Sequence, residues 1–507
     1  MLRSRTGLVM LAILLGLPLF GSAPTRGSTP GASPNAAITV AEAVSPSTLD
    51  PQASPLGADF YAWELAYQCL LTTSSSGTIT PQLATGYSVG GARTIYDFTL
   101  RRNVYFHNGD QLTPADVVYT FQRLLKTGIP YAKSRFPTLK NVEATGPNSV
   151  RFILSEPDPS FILNMADASV VACAILNQHA GATGNLALSM VGTGAYRMTS
   201  YVPHQELVFS RFDKYWGPAP KNGGLRVVYV PDPLTQRANL QSGKIDFFFP
   251  DTSLIRSLQG DRSIKLGESV TGTIDLLCLN SARKPFDDVR VRRAVALAID
   301  RDAIANVAFN GAAVPNSYLP PGLSWAPKLE SMPYSKRDVN QAKSLLSEAG
   351  YPNGFSAKLM YIAGYSPQSA REAALLQSQL GVSGLTITLD PQDQASWNTN
   401  FNIPAYDLNW NLYGSFADPY QYLRPRPGRQ GPVPSSLQAL IDQLRSTTTM
   451  AAYRDAVLAI AREEANLVYP DIPLVAWKTY VAYNPKLQDV RLPANLSRNF
   501  FADVWFK

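Results

Sequence analysis

Short runs of apolar residues, alternately spaced at periods of two and of three to four, cover most of this 507-residue chain. Ile38-Thr-Val-Ala-Glu42 predicts an opening strand, and Ser45-Pro-Ser-Thr-Leu-Asp-Pro51 the turn that leaves it. Tyr96-Asp-Phe-Thr-Leu-Arg101 alternates as a half-buried strand does. A helix is expected from Thr113, with Thr113 as N-cap, Pro114 at the first helical position and Asp116 complementing the positive end of the dipole. Val117, Val118, Phe121 and Leu124 supply its apolar face. Further strands are expected at 207–211, 225–230, 276–279, 357–361 and 385–389. Helices are expected at 289–299, 335–349, 435–444 and 451–467; Gly350 and Pro352 end the second of these. The pattern is mixed α/β, with no internal repeat and no heptad run.

The N-terminus reads differently. Arg3 and Arg5 precede an apolar run from Leu8 to Phe20 and then Gly21-Ser22-Ala23, which predicts a signal peptide over 1–23 with cleavage after Ala23. A bilayer-spanning helix takes about 20 apolar residues, more than this run supplies. No cysteine lies at the junction, so a lipid anchor is not expected, and the mature protein should be periplasmic or secreted. Residues 24–37 are rich in Pro, Gly, Ser, Thr and Ala and predict a flexible leader. The remaining length exceeds what one core organises, so two or more lobes are expected.

The net charge of +7 is spread in small groups with acids close by, and no basic tract is interleaved with aromatics; a nucleic-acid partner is not expected. Cys69, Cys173 and Cys278 sit in apolar contexts and read most simply as three small buried side chains. An oxidising compartment permits one disulfide, but the sequence selects no pair. The three histidines are far apart and have no metal-site spacing, so neither metal nor cofactor is expected.

Catalytic patterns are missing as well: no GxSxG elbow, phosphate loop or dinucleotide-binding glycine pattern is present. Ser281-Ala-Arg-Lys284, Ser396-Trp-Asn398 and Lys478-Thr-Tyr480 mimic the three short elements of serine penicillin-binding enzymes. Those enzymes need the serine to open a helix, and Pro285 directly after Lys284 predicts a loop instead. A secreted serine hydrolase is therefore disfavoured, and no enzyme activity is expected.

Two longer segments carry a family resemblance. Tyr96 to Val118, YDFTLRRNVYFHNGDQLTPADVV, and Leu279-Asn280 with Pro285 to Arg301, PFDDVRVRRAVALAIDR, resemble the family-5 extracellular solute-binding proteins. These are the dipeptide- and oligopeptide-binding components of ABC importers. Ser47 to Pro51, Gly192 to Tyr196, Tyr215 to Gly217, Leu240 to Asp246 and Ala342 to Tyr351 add shorter matches in consistent order. The resemblance implies an α/β, periplasmic binding protein-like fold (type II, cluster C-like) with two lobes, a hinge and an extra subdomain. It places lobe I at 38–82, 185–275 and 478–507, the inserted subdomain at 83–184 and lobe II at 276–477, with hinges near Cys278 and Trp477. Arg290, Arg292 and Asp300 are expected to pair between elements rather than to touch ligand. The implied partners are a peptide or other small molecule and a membrane permease with its ATPase; a monomer is expected.

In the peptide binders of that family an acid in lobe II pairs with the peptide α-ammonium. The matching stretch, Trp410 to Pro419, places that position on Ser415 and keeps Asp418 before the proline, where a turn role is expected first. A hydroxyl cannot neutralise a desolvated ammonium. Either a nearby acid, Asp407 or Asp418, substitutes, or the ligand has no free α-amine, as with an oligosaccharide, an opine or a metal chelate. Trp397, Trp410, Tyr413 and Trp477 are candidate aromatic walls, and the Ser45–Thr48 turn a candidate contact from lobe I. Arg371 and Arg424 are candidates for a ligand carboxylate. A structural or chaperone-like protein that keeps this fold is a third reading.

Overall fold

The computed structural model describes residues 35–507 apart from 54–56, 74–77, 128–134, 168–171, 415–417, 427–429, 448 and 493–497. The expected signal peptide and nearly all of the leader lie outside the described residues. The chain is already engaged at Ala36, whose carbonyl accepts from Gly223 N at 3.3 Å.

An eleven-stranded sheet runs through the molecule. Its order is 386–392, 356–362, 408–413, 265–279, 471–483, 247–248, 38–42, 224–229, 206–211 and 196–202, and Ala313–Pro315 pairs beside it on Asp471–Tyr483. Two long antiparallel strands, Lys265–Leu279 and Asp471–Tyr483, join its halves. Their ladder is regular from Lys265↔Tyr483 to Val270↔Lys478 and regular again at Cys278↔Asp471; between these it shifts register at Val270/Ile274 and Ile274/Leu276. A register shift bends and locally unpairs a strand. Trp477 falls within this irregular stretch, whereas Cys278 lies beyond it, in the regular ladder.

Separate cores flank the irregularity. One cluster packs Trp63, Tyr67, Phe106, Phe209 and Phe247 with Phe121 of the helix Pro114–Thr127 and with Phe98 and Phe152 of a second, four-stranded sheet in the order 84–90, 95–100, 149–154, 139–146. Another packs Val295, Leu359, Leu376 and Trp410 on the other half of the long sheet, and a third is built on the helices Ser435–Ser446 and Met450–Leu467.

Local chemistry explains the element ends. The helix Pro114–Thr127 starts as expected, but the Thr113 side chain donates rather than accepts: the Thr113 N–H and hydroxyl both reach Asp116 Oδ2, at 2.9 and 2.8 Å. The expected helix 335–349 begins only at Val339, because Asp338 caps Gln341 N at 2.9 Å. Asp300 caps Ala303 N at 2.9 Å, Arg290 pairs with Asp288, and buried Arg292 donates to the Leu467, Val468, Phe286 and Asp287 carbonyls. The expectation of three buried thiols is corrected: Cys69 and Cys173 form a disulfide, and Cys278 is free and buried.

Candidate functional site

Strand direction locates the site. In open α/β sheets, ligands meet the carboxyl ends of parallel strands. Strands 356–362, 386–392 and 408–413 are parallel, and the pairs Ile274↔Tyr413 and Leu279↔Leu408 show that 408–413 ends at the irregular stretch. On the other side, 38–42, 224–229 and 247–248 are parallel, and Phe247↔Tyr483 with Phe248↔Ala482 directs them toward the same place. Two sets of carboxyl ends therefore face each other beside the crossing strands. Gln368 Nε2, at the start of the helix Pro367–Val382, donates to Thr252 Oγ1 from the opposite half at 2.5 Å.

A carboxyl pair sits at the base of this junction. Asp275, within the irregular stretch, and Glu372, on the helix Pro367–Val382, are both fully buried. Trp477 Nε1 donates to Asp275 Oδ1 and Trp410 Nε1 to Glu372 Oε2, each at 2.8 Å. Their remaining oxygens, Asp275 Oδ2 and Glu372 Oε1, are buried and meet no donor, and each carboxyl acts on the other's titration, so a proton held between them is the arrangement that relieves both. Burial, first, and the neighbouring charge of Glu372 raise Asp275 well above the usual carboxylate range. Burial pushes Glu372 up to about 7, against the opposing bonds from Asp275 and Trp410. Tyr365, 45% exposed, lies against Trp410 with centroids 5.8 Å apart. Replacing Trp410 by Phe leaves Glu372 Oε2 without its donor, so W410F is expected to cost about 1–3 kcal/mol in denaturant unfolding.

A second polar network holds the last residue of strand 408–413. Tyr413 donates to Asp471 Oδ2 at 2.9 Å, accepts from the Arg426 guanidinium and lies under it at 4.4 Å, and Gln430 Nε2 donates to Asp471 Oδ1 at 2.7 Å.

Of the residues singled out in the sequence, Trp410 and Trp477 are brought together, on the two halves of the carboxyl pair. Trp397 is on the helix Gln394–Asn402, which starts where Asp393 caps Ala395 and Ser396. Its ring is 7% exposed, stacked on Phe401 at 4.8 Å, with Nε1 donating to Asn409 at 2.8 Å; it packs as core. Tyr413 is likewise buried and fully engaged. Ser45 and Thr48 are half-buried in the turn after 38–42; Ser45 Oγ accepts from His204 N at 3.2 Å and Thr48 Oγ1 from Asp50 N at 3.2 Å. Ser415 lies outside the described residues. Asp418 is fully buried and accepts from Ser160 Oγ at 2.5 Å, from Tyr420 N at 3.0 Å and from the Tyr453 hydroxyl. Asp407 accepts from Lys358 N at 3.1 Å and pairs with Arg283 at 3.4 Å. Arg371 donates to the Ala308 carbonyl at 2.9 Å, and Arg424 is exposed. Ser281 sits in a turn and donates to the Gln430 carbonyl at 2.5 Å, not at a helix start.

Asp275, Glu372, Tyr365 and Gln368 were not singled out by sequence. Glu372 carried one usable signal, an acid on the otherwise apolar face marked by buried Ala373, Leu376 and Leu380.

Residues 78–431 match the family model of bacterial extracellular solute-binding proteins, family 5, middle region. Heme-binding protein A of Haemophilus influenzae is 29% identical over 381 residues, 69% of this chain and 69% of that one. The dipeptide-binding protein of Escherichia coli K12 is 28% identical over 380 residues, 68% of this chain and 70% of that one. The structure of HbpA2 from Haemophilus parasuis superposes with a TM-score of 0.83 at 23% identity, over 93% of this chain and 100% of that one.

Proposed function

Because this chain belongs to the bacterial extracellular solute-binding proteins of family 5, we propose that it captures a small solute between its two lobes outside the cytoplasm and delivers it to the permease of an ABC importer. The observation that carries this reading is the meeting of two sets of parallel-strand carboxyl ends beside two crossing strands with an irregular ladder. Lobes joined in this way close on a ligand by bending at the connection. Lobe I then comprises about 38–82, 185–275 and 478–507, lobe II about 276–477, and 83–184 is inserted. The bend falls at 270–276 and 473–478. Ser45 and Thr48 on one side, with Tyr365 and Trp477 on the other, are the proposed ligand contacts. The protein works as a monomer, exported by the signal at 1–23. No catalytic step is part of this reading.

Peptides or peptide-like solutes are the default ligands, in line with the dipeptide-binding relative. A specific observation favours a ligand without a free α-ammonium. Both acids that could stand in for the one missing at Ser415 are engaged: Asp418 by Ser160, Tyr420 and Tyr453, Asp407 by Lys358 and Arg283. An ammonium there would have no carboxylate of its own.

Thermal-shift measurement against free dipeptides, N-acetylated dipeptides, oligosaccharides, opines and metal chelates including heme separates these readings. At a hundred times its Kd, a ligand stabilises the folded state by about 2.7 kcal/mol. N-acetylated peptides or an amine-free class are expected to raise the Tm at least as much as free dipeptides. A shift confined to free amines would restore the ammonium site, and none with any class would overturn solute capture.

A further inference from the structure

We propose that the segment Ser160–Asn164 of the inserted subdomain is a clasp for the closed state, positioning lobe II through Asp418 and an apolar seat without touching the ligand. This rests on the solute-capture reading above. Ser160 and Asp418 are 258 residues apart in sequence, yet Ser160 Oγ donates to Asp418 Oδ2 at 2.5 Å. The acceptor is a fully buried carboxylate whose other partners come from its own side: Tyr420 N, the Tyr453 hydroxyl and, at 3.3 Å, Gln421 Nε2. Burial and the adjacent Asp418 carboxylate hold Tyr453 protonated, so it remains a donor there.

The segment is prepared for this contact. Asp158 accepts from Ser160 N at 2.9 Å and from Thr138 Oγ1 at 2.8 Å, which fixes the chain as it enters the turn. Asn164 Nδ2 ties its far end to the Arg135 carbonyl at 2.7 Å. Between them Leu163, 6% exposed, belongs to the apolar cluster of Leu423, Leu437, Tyr453 and Ile460, whereas its neighbours Phe161 and Ile162 belong to the cluster of the inserted subdomain. One short segment thus has side chains in two cores. Ile79, from the short strand Ile79–Pro81, packs on the same cluster and widens the seat.

Opening the lobes by bending at the crossing strands would have to break the Ser160–Asp418 bond and uncover Leu163. The clasp therefore sets the closed population, and through it the rate at which a captured solute leaves.

The test uses the full mature chain without ligand, with spin labels on exposed positions of the two lobes and pulsed dipolar distance measurement. Losing a hydrogen bond to a charged group shifts an equilibrium by about tenfold or more, so S160A is expected to move population from the short to the long distance by that factor. L163A should act in the same direction. S160T, which keeps the hydroxyl, should restore the wild-type distribution. Asp418 keeps the Tyr420 and Tyr453 bonds in S160A, so its melting temperature should stay close to wild type. Identical distance distributions for wild type and S160A would overturn the clasp. A shifted S160A distribution in a protein that no solute stabilises would support the clasp and overturn solute capture instead.

Discussion

Breaking the Cys69–Cys173 disulfide is expected to lower stability by about 4–5 kcal/mol, because it closes a loop of 104 residues and its removal returns that loop's entropy to the unfolded chain. Both cysteines lie in the core that packs Trp63 and Tyr67 with the four-stranded sheet, and are at most 1% exposed. The backbone beside them is already paired, with Ile175 N donating to the Gln68 carbonyl at 2.9 Å and Cys69 N to Gln82 Oε1 at 2.9 Å. The reduced protein should therefore keep its native contacts and lose midpoint in guanidinium rather than shape. C69A/C173A should unfold at a clearly lower midpoint than wild type, and dithiothreitol should bring wild type down to the variant while leaving the variant unmoved. C278A should respond to dithiothreitol as wild type does, since Cys278 is unpaired. An unchanged wild-type midpoint in reductant would refute this account.

The sequence was most readable where one rule acted alone. The strand 95–100 is set by a clear alternation, and the helices from Pro114 and at Val289–Ala298 by a clear period and a defined start; each forms within a residue or so of its expected position. The crossing strands were legible only in part. Leu276–Leu279 was expected, but the strand begins at Lys265, and its first half, Lys-Leu-Gly-Glu-Ser-Val-Thr-Gly-Thr, has two glycines and scattered polar residues that mask its extended path. Asp471–Tyr483 carries Pro473 and a continuous apolar run, which shows neither period clearly. Both strands are set by long-range pairing with each other, which no local window contains. The family was readable because its motifs are local turns and caps. The carboxyl pair was not, since Asp275 and Glu372 are 97 positions apart on elements joined only by the fold. The aromatic candidates divided for the same reason: Trp410 and Trp477 meet that pair, whereas Trp397 turns inward once Asp393 caps its helix.

Wild-type stability relative to E372Q is expected to fall by on the order of 3 kcal/mol between pH 4.5 and pH 8. Glu372 has an ordinary value of 4.5 and is raised to about 7 in the fold. Below 4.5 both states hold the proton and nothing is lost. Between 4.5 and 7 the folded state binds more protons than the unfolded one, so stability declines as pH rises; above 7 the loss is complete. Asp275 adds to the same trend, because burial and Glu372 raise it too. His107 acts oppositely: burial lowers it from 6.5 to about 4, so its contribution is lost as pH falls through that window. Wild type alone would report the sum of these effects. The difference from E372Q isolates the pair, because glutamine can still accept from Trp410 and donate to Asp275 but cannot titrate. Guanidinium unfolding of both proteins at pH 5, 6, 7 and 8 should give curves that diverge with rising pH, and parallel curves would sink the shared-proton assignment. The pair joins a crossing strand to the helix whose Gln368 donates to Thr252 of the opposite half. A second deprotonation there places two like charges in a buried site beside the irregular ladder, which works against the packed arrangement of that helix and strand. Alkaline conditions should therefore weaken this junction between the two halves of the long sheet first.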